Sequence, residues 1–427
     1  MKKNISSVLM IALLGFAISC KSPETNTDIP EEEIKPLTLT DEELQDKVLG
    51  MLVGSAIGDA MGAPSEMWSR DMISQEYGFV QDLDSMVREV SPEGIWKANL
   101  PAGGTTDDTR WKKLAFEYLA GENPKSLDPK QFASHILAQF DGYLAEYKTI
   151  ESENAEPFEA NSLKVGWLQE WAKAARPYVK NDLNGYQIGL STFYGGEMVC
   201  AGLLYAPAIG AFFPENPEKA YSEAFKLALF DIGYAKDVTA LSAAMTSAAM
   251  KKDATQSDVL DVLRSVDPEQ YYGARLVGRS SYRILQTALQ IVQEAKAINE
   301  AKVTTEEERI ANVQKWTPEY LQPAFEKLDQ HLQDMPFHAG EIHLQVLTAM
   351  IFADFDFEKT LIFLVNYGRD NDTTAAIAGG ILGAYYGFDR LPEQMKNQVL
   401  EVNKNELDID LVELSENMTE NLLRRYK

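Results

Sequence analysis

Gly368-Arg369-Asp370-Asn371-Asp372-Thr373-Thr374 runs directly into Ala375-Ala376-Ile377-Ala378-Gly379-Gly380-Ile381-Leu382-Gly383-Ala384-Tyr385-Tyr386-Gly387. Carboxylates and hydroxyls stand where a helix begins, and the residues that follow are apolar with little bulk. Alanine and glycine let neighbouring backbones approach closely, so this stretch predicts a helix at the centre of a bundle. Its apolar run is too short to span a bilayer. The Asp-x-Asp pattern also begins calcium loops, but the downstream glycine and glutamate of a helix-loop-helix site are missing.

Helical signals extend outward from this stretch through the chain. Thr40-Asp41-Glu42-Glu43 has the form of a capping box and predicts a helix start. Leu44, Val48, Leu49, Leu52 and Val53 then recur at spacings of three and four, and small residues continue to Ala63-Pro64. Similar spacing marks Trp111 to Leu119, Phe132 to Tyr143, Leu163 to Ala175, Tyr221 to Leu229, Val238 to Met250, Val259 to Val266, Tyr282 to Ile298 and Ile342 to Phe352. Strand-like alternation bounded by hairpin turns is nearly absent. The predicted fold is therefore all-α, a compact, orthogonally packed multi-helix bundle formed as one domain by residues 39–427. The polar stretch from Glu151 to Gly185 is expected to be an irregular excursion within it.

The 427 residues hold 40 Lys plus Arg against 65 Asp plus Glu, a net charge of −25, with 45% hydrophobic residues. Such a balance fits an acidic globular protein and argues against nucleic acid as a partner. Cys20 and Cys200 are the only cysteines, too few for a disulfide framework or a thiolate zinc site. Lys2 and Lys3 precede an apolar run from Val8 to Ile18, and small residues lead to Cys20, which is the pattern of an export signal. Phe16-Ala17-Ile18-Ser19-Cys20 also resembles the lipobox of bacterial lipoproteins. Residues 1–19 are expected to be a lipoprotein signal peptide, Cys20 the lipidated residue, and residues 20–38 a disordered acidic tether. The expected location is the periplasmic side or the surface of a bacterial membrane, reached through the lipid anchor only.

A second acidic motif, Gly103-Gly104-Thr105-Thr106-Asp107-Asp108-Thr109, precedes the periodicity of Trp111, Leu114, Ala115 and Tyr118. Adjacent helical side chains diverge by about 100°, so Asp107 and Asp108 reach two different ions more readily than they chelate one. Helix capping is the alternative use of the same residues. If this helix start converges with the one at Asp370, four carboxylates meet. Like charges at that range require protons or divalent cations. An all-oxygen donor set points to Mg²⁺ or Mn²⁺ before Zn²⁺. His338 and His343 flank Glu341 without the spacing of a zinc-protease helix and are expected at the surface or at a helix start.

Gly54-Ser55-Ala56-Ile57-Gly58-Asp59-Ala60-Met61-Gly62-Ala63-Pro64-Ser65-Glu66, then Thr106-Asp107-Asp108-Thr109, then Asp370-Asn371-Asp372-Thr373-Thr374 followed by Ala375 to Gly379, form an ordered set. Together they resemble the ADP-ribosylglycohydrolase family over roughly residues 45–390. The resemblance implies two Mg²⁺ or Mn²⁺ ions ligated by Thr106, Asp107, Asp108, Asp370, Asp372 and Thr373. It implies hydrolysis of the glycosidic bond of an ADP-ribosyl or related ribosyl adduct, with Glu66, Asp108 and Asp372 as catalytic candidates. Gly58 and Gly62 are expected to serve tight helix packing. Tyr194, Gly195, Gly196, Glu197 and Met198 match the family's ligand loop and are expected to open a helix through Cys200 and Leu203.

Three positions depart from the family pattern. Glu197 stands where the loop often carries asparagine and glycine, Gly233-Tyr234-Ala235-Lys236-Asp237 replaces a Thr-His pair, and Arg369 stands where glycine is common. Two alternatives therefore stay open: a metal-dependent hydrolase of another nucleoside or glycoside, and a noncatalytic ligand-binding member of the fold. The substrate is expected to be a small molecule or an ADP-ribosylated adduct, and the sequence leaves the oligomeric state open.

Overall fold

The computed structural model describes residues 36–123, 125–150, 155–302, 305 and 316–426, apart from the side chains of 155–158. The expected signal peptide, Cys20 and the tether up to residue 35 lie outside the described residues. Among the described residues the chain forms seventeen α-helices and no strand, only two isolated β-bridges. None of these helices is long and apolar enough to cross a membrane.

The helix Asp41–Gly62 starts as its sequence dictates. The Glu43 amide donates to Thr40 Oγ1 at 3.2 Å, and the Thr40 amide donates to Glu43 Oε2 at 2.8 Å. Every residue from Lys47 to Gly62 is buried, as is every residue from Asn371 to Ala384 in the helix Asn371–Tyr386. Helices buried on all sides belong at the centre of a fold, and these two form its tightest pair.

Glycine at every fourth position makes that pairing possible. A Cβ placed on Gly50 or Gly54 would lie 2.5 Å from the carbonyl oxygen of Gly383 or Gly379, and one on Gly58 would lie 2.0 Å from that of Ala375. The two helices therefore run antiparallel with their backbones in contact. At the far end Lys47 Nζ donates to the Ala249 and Ala384 carbonyls at 3.0 and 2.9 Å, which satisfies acceptors at the C-terminal ends of two helices.

Ala235–Ala249 packs on Asn371–Tyr386 and on Pro217–Leu227, Leu411–Tyr426 packs on Asp41–Gly62, and Ser280–Ala301 packs on Ala339–Phe352. One expectation is corrected here. Most of the stretch from Glu151 to Gly185 is a regular helix, Ala155–Val179, packed along Pro129–Thr149. Trp167, Leu168, Trp171, Ala174 and Ala175 are buried on its inner face, and that apolar stripe outweighs the polar composition of its flanks. Residues 151–154 lie outside the described residues.

Candidate metal and active site

The antiparallel central pair places the end of one helix against the start of the other. A Cβ on Gly62 would lie 2.5 Å from Asp372 Cα, so only glycine there allows this approach. The chain beyond Gly62 is then tied to the segment before Asn371. The Met67 amide donates to the Arg369 carbonyl at 2.7 Å, and the Arg369 amide returns a bond to Trp68 O at 2.9 Å. Asn371 Nδ2 donates to Ser65 Oγ at 2.9 Å. These ties bring Glu66 beside Asp370 and Asp372, and the three carboxylates each offer an oxygen within 4.8 Å of the others.

The second acidic motif reaches the same place through Asp59. This carboxylate is fully buried and accepts the Thr106 amide at 3.0 Å, Thr106 Oγ1 at 2.9 Å, the Thr109 amide at 2.9 Å and Thr109 Oγ1 at 2.6 Å. It thereby fixes the first turn of the helix Asp107–Leu119. Thr106 Oγ1 also lies 3.3 Å from Asp372 Oδ2, and Thr373 Oγ1 donates to Asp108 Oδ2 at 2.8 Å. Lys112 Nζ donates to Asp108 Oδ1 at 2.8 Å, with both side chains buried. Glu66 is held by Arg88, whose Nη1 donates to Glu66 Oε2 at 2.6 Å and to the Ala63 carbonyl at 2.9 Å.

Like charges in a low-polarity interior make ionisation costly. Burial first, and then the charges of Glu66 and Asp108, push Asp370 up to about 8. Burial, Glu66 and Asp370 raise Asp372 well above the ordinary carboxylate range, and burial raises Asp107 in the same sense. Asp59 rises to about 6, from burial and then from Asp108. Asp370 stands at the N-terminal cap of Asn371–Tyr386 without making a side-chain capping bond, so its carboxylate is not consumed by the helix. A cluster of oxygen donors that resist ionising together fits divalent cations, and the donor set suits Mg²⁺ or Mn²⁺.

All six metal-ligand candidates, Thr106, Asp107, Asp108, Asp370, Asp372 and Thr373, belong to the two segments joined here. Asp107 is partly exposed, and its amide donates to the Glu93 carbonyl at 3.2 Å. The ligand-loop candidates occupy a neighbouring wall. Tyr194 Oη donates to Glu93 Oε1 at 3.2 Å, and the Ala339 amide donates to the Met198 carbonyl at 2.9 Å. Gly195 and Glu197 are exposed. The loop does not open an α-helix as expected. Phe193–Gly196 and Ala201–Leu204 are short 3₁₀ turns, and Tyr194, Gly195 and Gly196 have φ of 42°, 77° and 79°. Left-handed backbone at three successive residues cannot continue into a right-handed helix.

Arg369 also adopts left-handed backbone, with φ 68°, which is the physical reason a glycine suits this position. Its guanidinium is held by Glu341, Nε to Oε1 at 2.8 Å and Nη2 to Oε2 at 3.0 Å. His338 caps the helix Ala339–Phe352, accepting the Gly340 amide at 3.1 Å. His343 lies within the same helix and is buried. Asp59, Arg88 and Lys112 are the supporting residues that sequence reasoning passed over. Asp59 had a signal, since it is the sole charged residue of its helix after Lys47. Arg88 had none, because it comes from an irregular segment.

An ADP-ribosylglycohydrolase family model matches residues 40–426. An uncharacterized protein of Archaeoglobus fulgidus is 26% identical over 354 residues, covering 82% of this chain and 90% of that protein. The uncharacterized protein YegU of Escherichia coli is 22% identical over 371 residues, 84% of this chain and 93% of its own length. Human ADP-ribosylhydrolase ARH3 is 53% identical across 36 residues, 8% of this chain and 10% of that protein. Among solved structures, an ADP-ribosylglycohydrolase-related protein complex superposes with a TM-score of 0.53 at 19% identity, covering 90% of this chain and 100% of that one, a likeness of fold.

Proposed function

The chain belongs to the ADP-ribosylglycohydrolase family, and from that premise we propose that it is a metal-dependent hydrolase of the glycosidic bond between ADP-ribose, or a related ribosyl group, and its acceptor. The observation that carries this reading is the convergence of Glu66, Asp370 and Asp372, with oxygens within 4.8 Å, beside Thr106 and Asp108. Thr106, Asp107, Asp108, Asp370, Asp372 and Thr373 would hold two Mg²⁺ or Mn²⁺ ions. When bound, such ions supply Lewis acidity and fix the orientation of ribose hydroxyls and water.

Departure of the acceptor builds positive, oxocarbenium-like charge on the ribose, and the surrounding carboxylates favour that charge. Glu66 has a side chain 14% exposed and is oriented by Arg88, so it can face both substrate and cluster. We assign it to take the proton of the attacking water: hydroxyl adds to the anomeric carbon as the bond from that carbon to the acceptor atom breaks, and the proton held by Glu66 passes to the departing acceptor. Asp108 and Asp372 hold the ring of charge in place, fixed by Thr373 and Thr106. Tyr194 to Met198 would line the distal part of the substrate. Exposed Glu197 places a negative charge there, which disfavours a diphosphate close to that side chain.

We also propose export and membrane anchoring through Cys20, supported by Lys2, Lys3 and the apolar run to Ile18. The activity is tested by incubating the domain from residue 39 onward with ADP-ribosyl-arginine and ADP-ribosyl-serine peptides plus Mg²⁺ or Mn²⁺. Release of free ADP-ribose that stops with chelator supports the reading. Release of ribose-containing products only from other nucleosides or glycosides would move the substrate, and no release from any of them would leave a binding protein.

A further inference from the structure

One irregular segment, residues 88–95, meets both halves of the candidate site. Arg88 at its start holds Glu66. The segment closes on itself through the Ser91 amide, which donates to the Ile95 carbonyl at 3.0 Å, and the Gly94 amide, which donates to Ser91 Oγ at 2.9 Å. Arg110, in the first turn of Asp107–Leu119, fastens it: Nη2 donates to the carbonyls of Pro92, Glu93 and Gly94 at 3.1, 2.9 and 2.7 Å. The Asp107 amide adds a bond to the Glu93 carbonyl at 3.2 Å. With its backbone fixed by two residues of one helix, Glu93 carries its carboxylate at a set place beside Asp107.

The ligand loop takes up that carboxylate. Tyr194 Oη donates to Glu93 Oε1 across 101 residues of sequence. Tyr194 holds φ 42° and ψ 48°, a left-handed conformation that a side chain disfavours and glycine does not. An aromatic residue there has to be held. Its ring packs edge-on to Phe193 and Phe337, with centroids 4.8 and 6.1 Å apart, and Glu93 fixes its hydroxyl. Burial, and then the charges of Glu93 and Asp107, raise the Tyr194 phenol above its ordinary range, so the hydroxyl stays a donor. The far end of the loop is held by the Ala339 amide on the Met198 carbonyl at 2.9 Å and by the Cys200 amide on the Phe337 carbonyl at 3.0 Å. Gly195, Gly196 and Glu197 run between these two fixed ends, and the Tyr194 end is tied to the helix that starts at Asp107.

We infer that Glu93 is a positioning residue for the proposed hydrolysis: by accepting the Tyr194 hydroxyl it keeps the turn 194–196 left-handed, holds the loop in place against the helix Asp107–Leu119, and so governs substrate affinity without touching the reacting atoms. The inference rests on the ligand-loop role proposed above for Tyr194 to Met198. A carboxylate suits the task, because a hydrogen bond to an ionised acceptor is roughly twice as strong as a neutral one. Without it Tyr194 is expected to relax toward right-handed backbone, which re-aims Gly195, Gly196 and Glu197.

The test compares the whole protein with Glu93→Ala, Tyr194→Phe, their double variant and Glu93→Gln. Hydrogen exchange over residues 195–200, read by mass spectrometry, is expected to quicken about tenfold in either single variant and no further in the double. Glu93→Gln keeps an acceptor oxygen and should stay within about threefold of the parent. Exchange across residues 107–119 and Mn²⁺ affinity by calorimetry should not move. On an ADP-ribosylated peptide that the parent cleaves, KM is expected to rise about tenfold in Glu93→Ala and in Tyr194→Phe, with kcat within about twofold. A merely structural defect would lower the active fraction, and kcat with it, at constant KM. The exchange measurement needs no substrate: a parent protein that cleaves nothing would overturn the hydrolase reading, and the affinity role with it, while exchange still decides the tie. Unchanged loop exchange in both single variants would overturn the inference, as would additive effects in the double variant or a loss of kcat at constant KM.

Discussion

Thr373 Oγ1 donates to Asp108 Oδ2 at 2.8 Å across 265 residues of sequence, and the reverse bond runs from Thr106 Oγ1 to Asp372 Oδ2 at 3.3 Å. The hydroxyl of each acidic motif therefore holds a carboxylate of the other. Neither motif is complete alone, because each helix start supplies the partner that orients the other's charge. This crossed arrangement turns two helix caps into one site.

Divalent-cation binding should depend on the converging carboxylates and not on acidity in general. Glu66→Gln, Asp370→Asn and Asp372→Asn are each expected to lower Mn²⁺ affinity at least about tenfold by calorimetry. Asp71→Asn, at an exposed position in the first turn of Arg70–Glu76, serves as the control and should leave affinity unchanged. Equal losses in all four would show only a general charge effect.

Gly58→Ala should destabilise the fold by about 2–4 kcal/mol, because the added methyl meets a backbone carbonyl at 2.0 Å that no rotamer can move away. Urea unfolding reads the loss directly. A midpoint unchanged from that of the parent protein would mean that the central helices are farther apart than described.

Arg369 separates backbone strain from ion pairing. Arg369→Ala loses the Glu341 pair and keeps a side chain at φ 68°, whereas Arg369→Gly loses the pair and relieves the strain. The glycine variant should therefore be the more stable of the two, by about 1 kcal/mol. Thermal unfolding of both proteins side by side decides it, and an alanine variant as stable as the glycine one contradicts the strain.

His343 makes the protein acid-sensitive. Burial pushes its imidazole from 6.5 down to about 4, with Asp237 opposing and Arg279 reinforcing the shift. Between those values the unfolded chain binds a proton that the folded chain does not, so stability rises with pH across that window. It is complete above about 6.5 and falls by up to about 3 kcal/mol as pH drops toward 4. His343→Gln should flatten this part of the curve of urea midpoint against pH. An identical slope in the variant would assign the sensitivity elsewhere.

Cys20→Ser should release the exported protein from the membrane fraction into the soluble one, read by detergent phase partition and by incorporation of labelled fatty acid. Unchanged partition with no label in the parent protein would identify an ordinary secretory signal.

The sequence by itself determined what depends on neighbours in the chain. The Thr40–Glu43 capping box, the spacing of the buried helices and the small residues of the last central helix are local signals, and the structure forms them where they are written. The two acidic motifs could be read for the same reason, as helix starts dense in oxygen donors. Tertiary structure decided what depends on distance. Asp59 gains its meaning only when Thr106 and Thr109 fold onto it, and Arg88 only when an irregular segment returns to Glu66. The helix Ala155–Val179 was hidden because its polar flanks mask a stripe that becomes apolar burial only against Pro129–Thr149. The 3₁₀ turns around Gly195 replaced an expected helix because Tyr194, Gly195 and Gly196 take positive φ, which the two glycines admit, and the chain beyond them pairs Val199 with His338. Helix periodicity is short-range and additive along the chain, whereas a carboxylate cluster exists only once the chain is closed on itself.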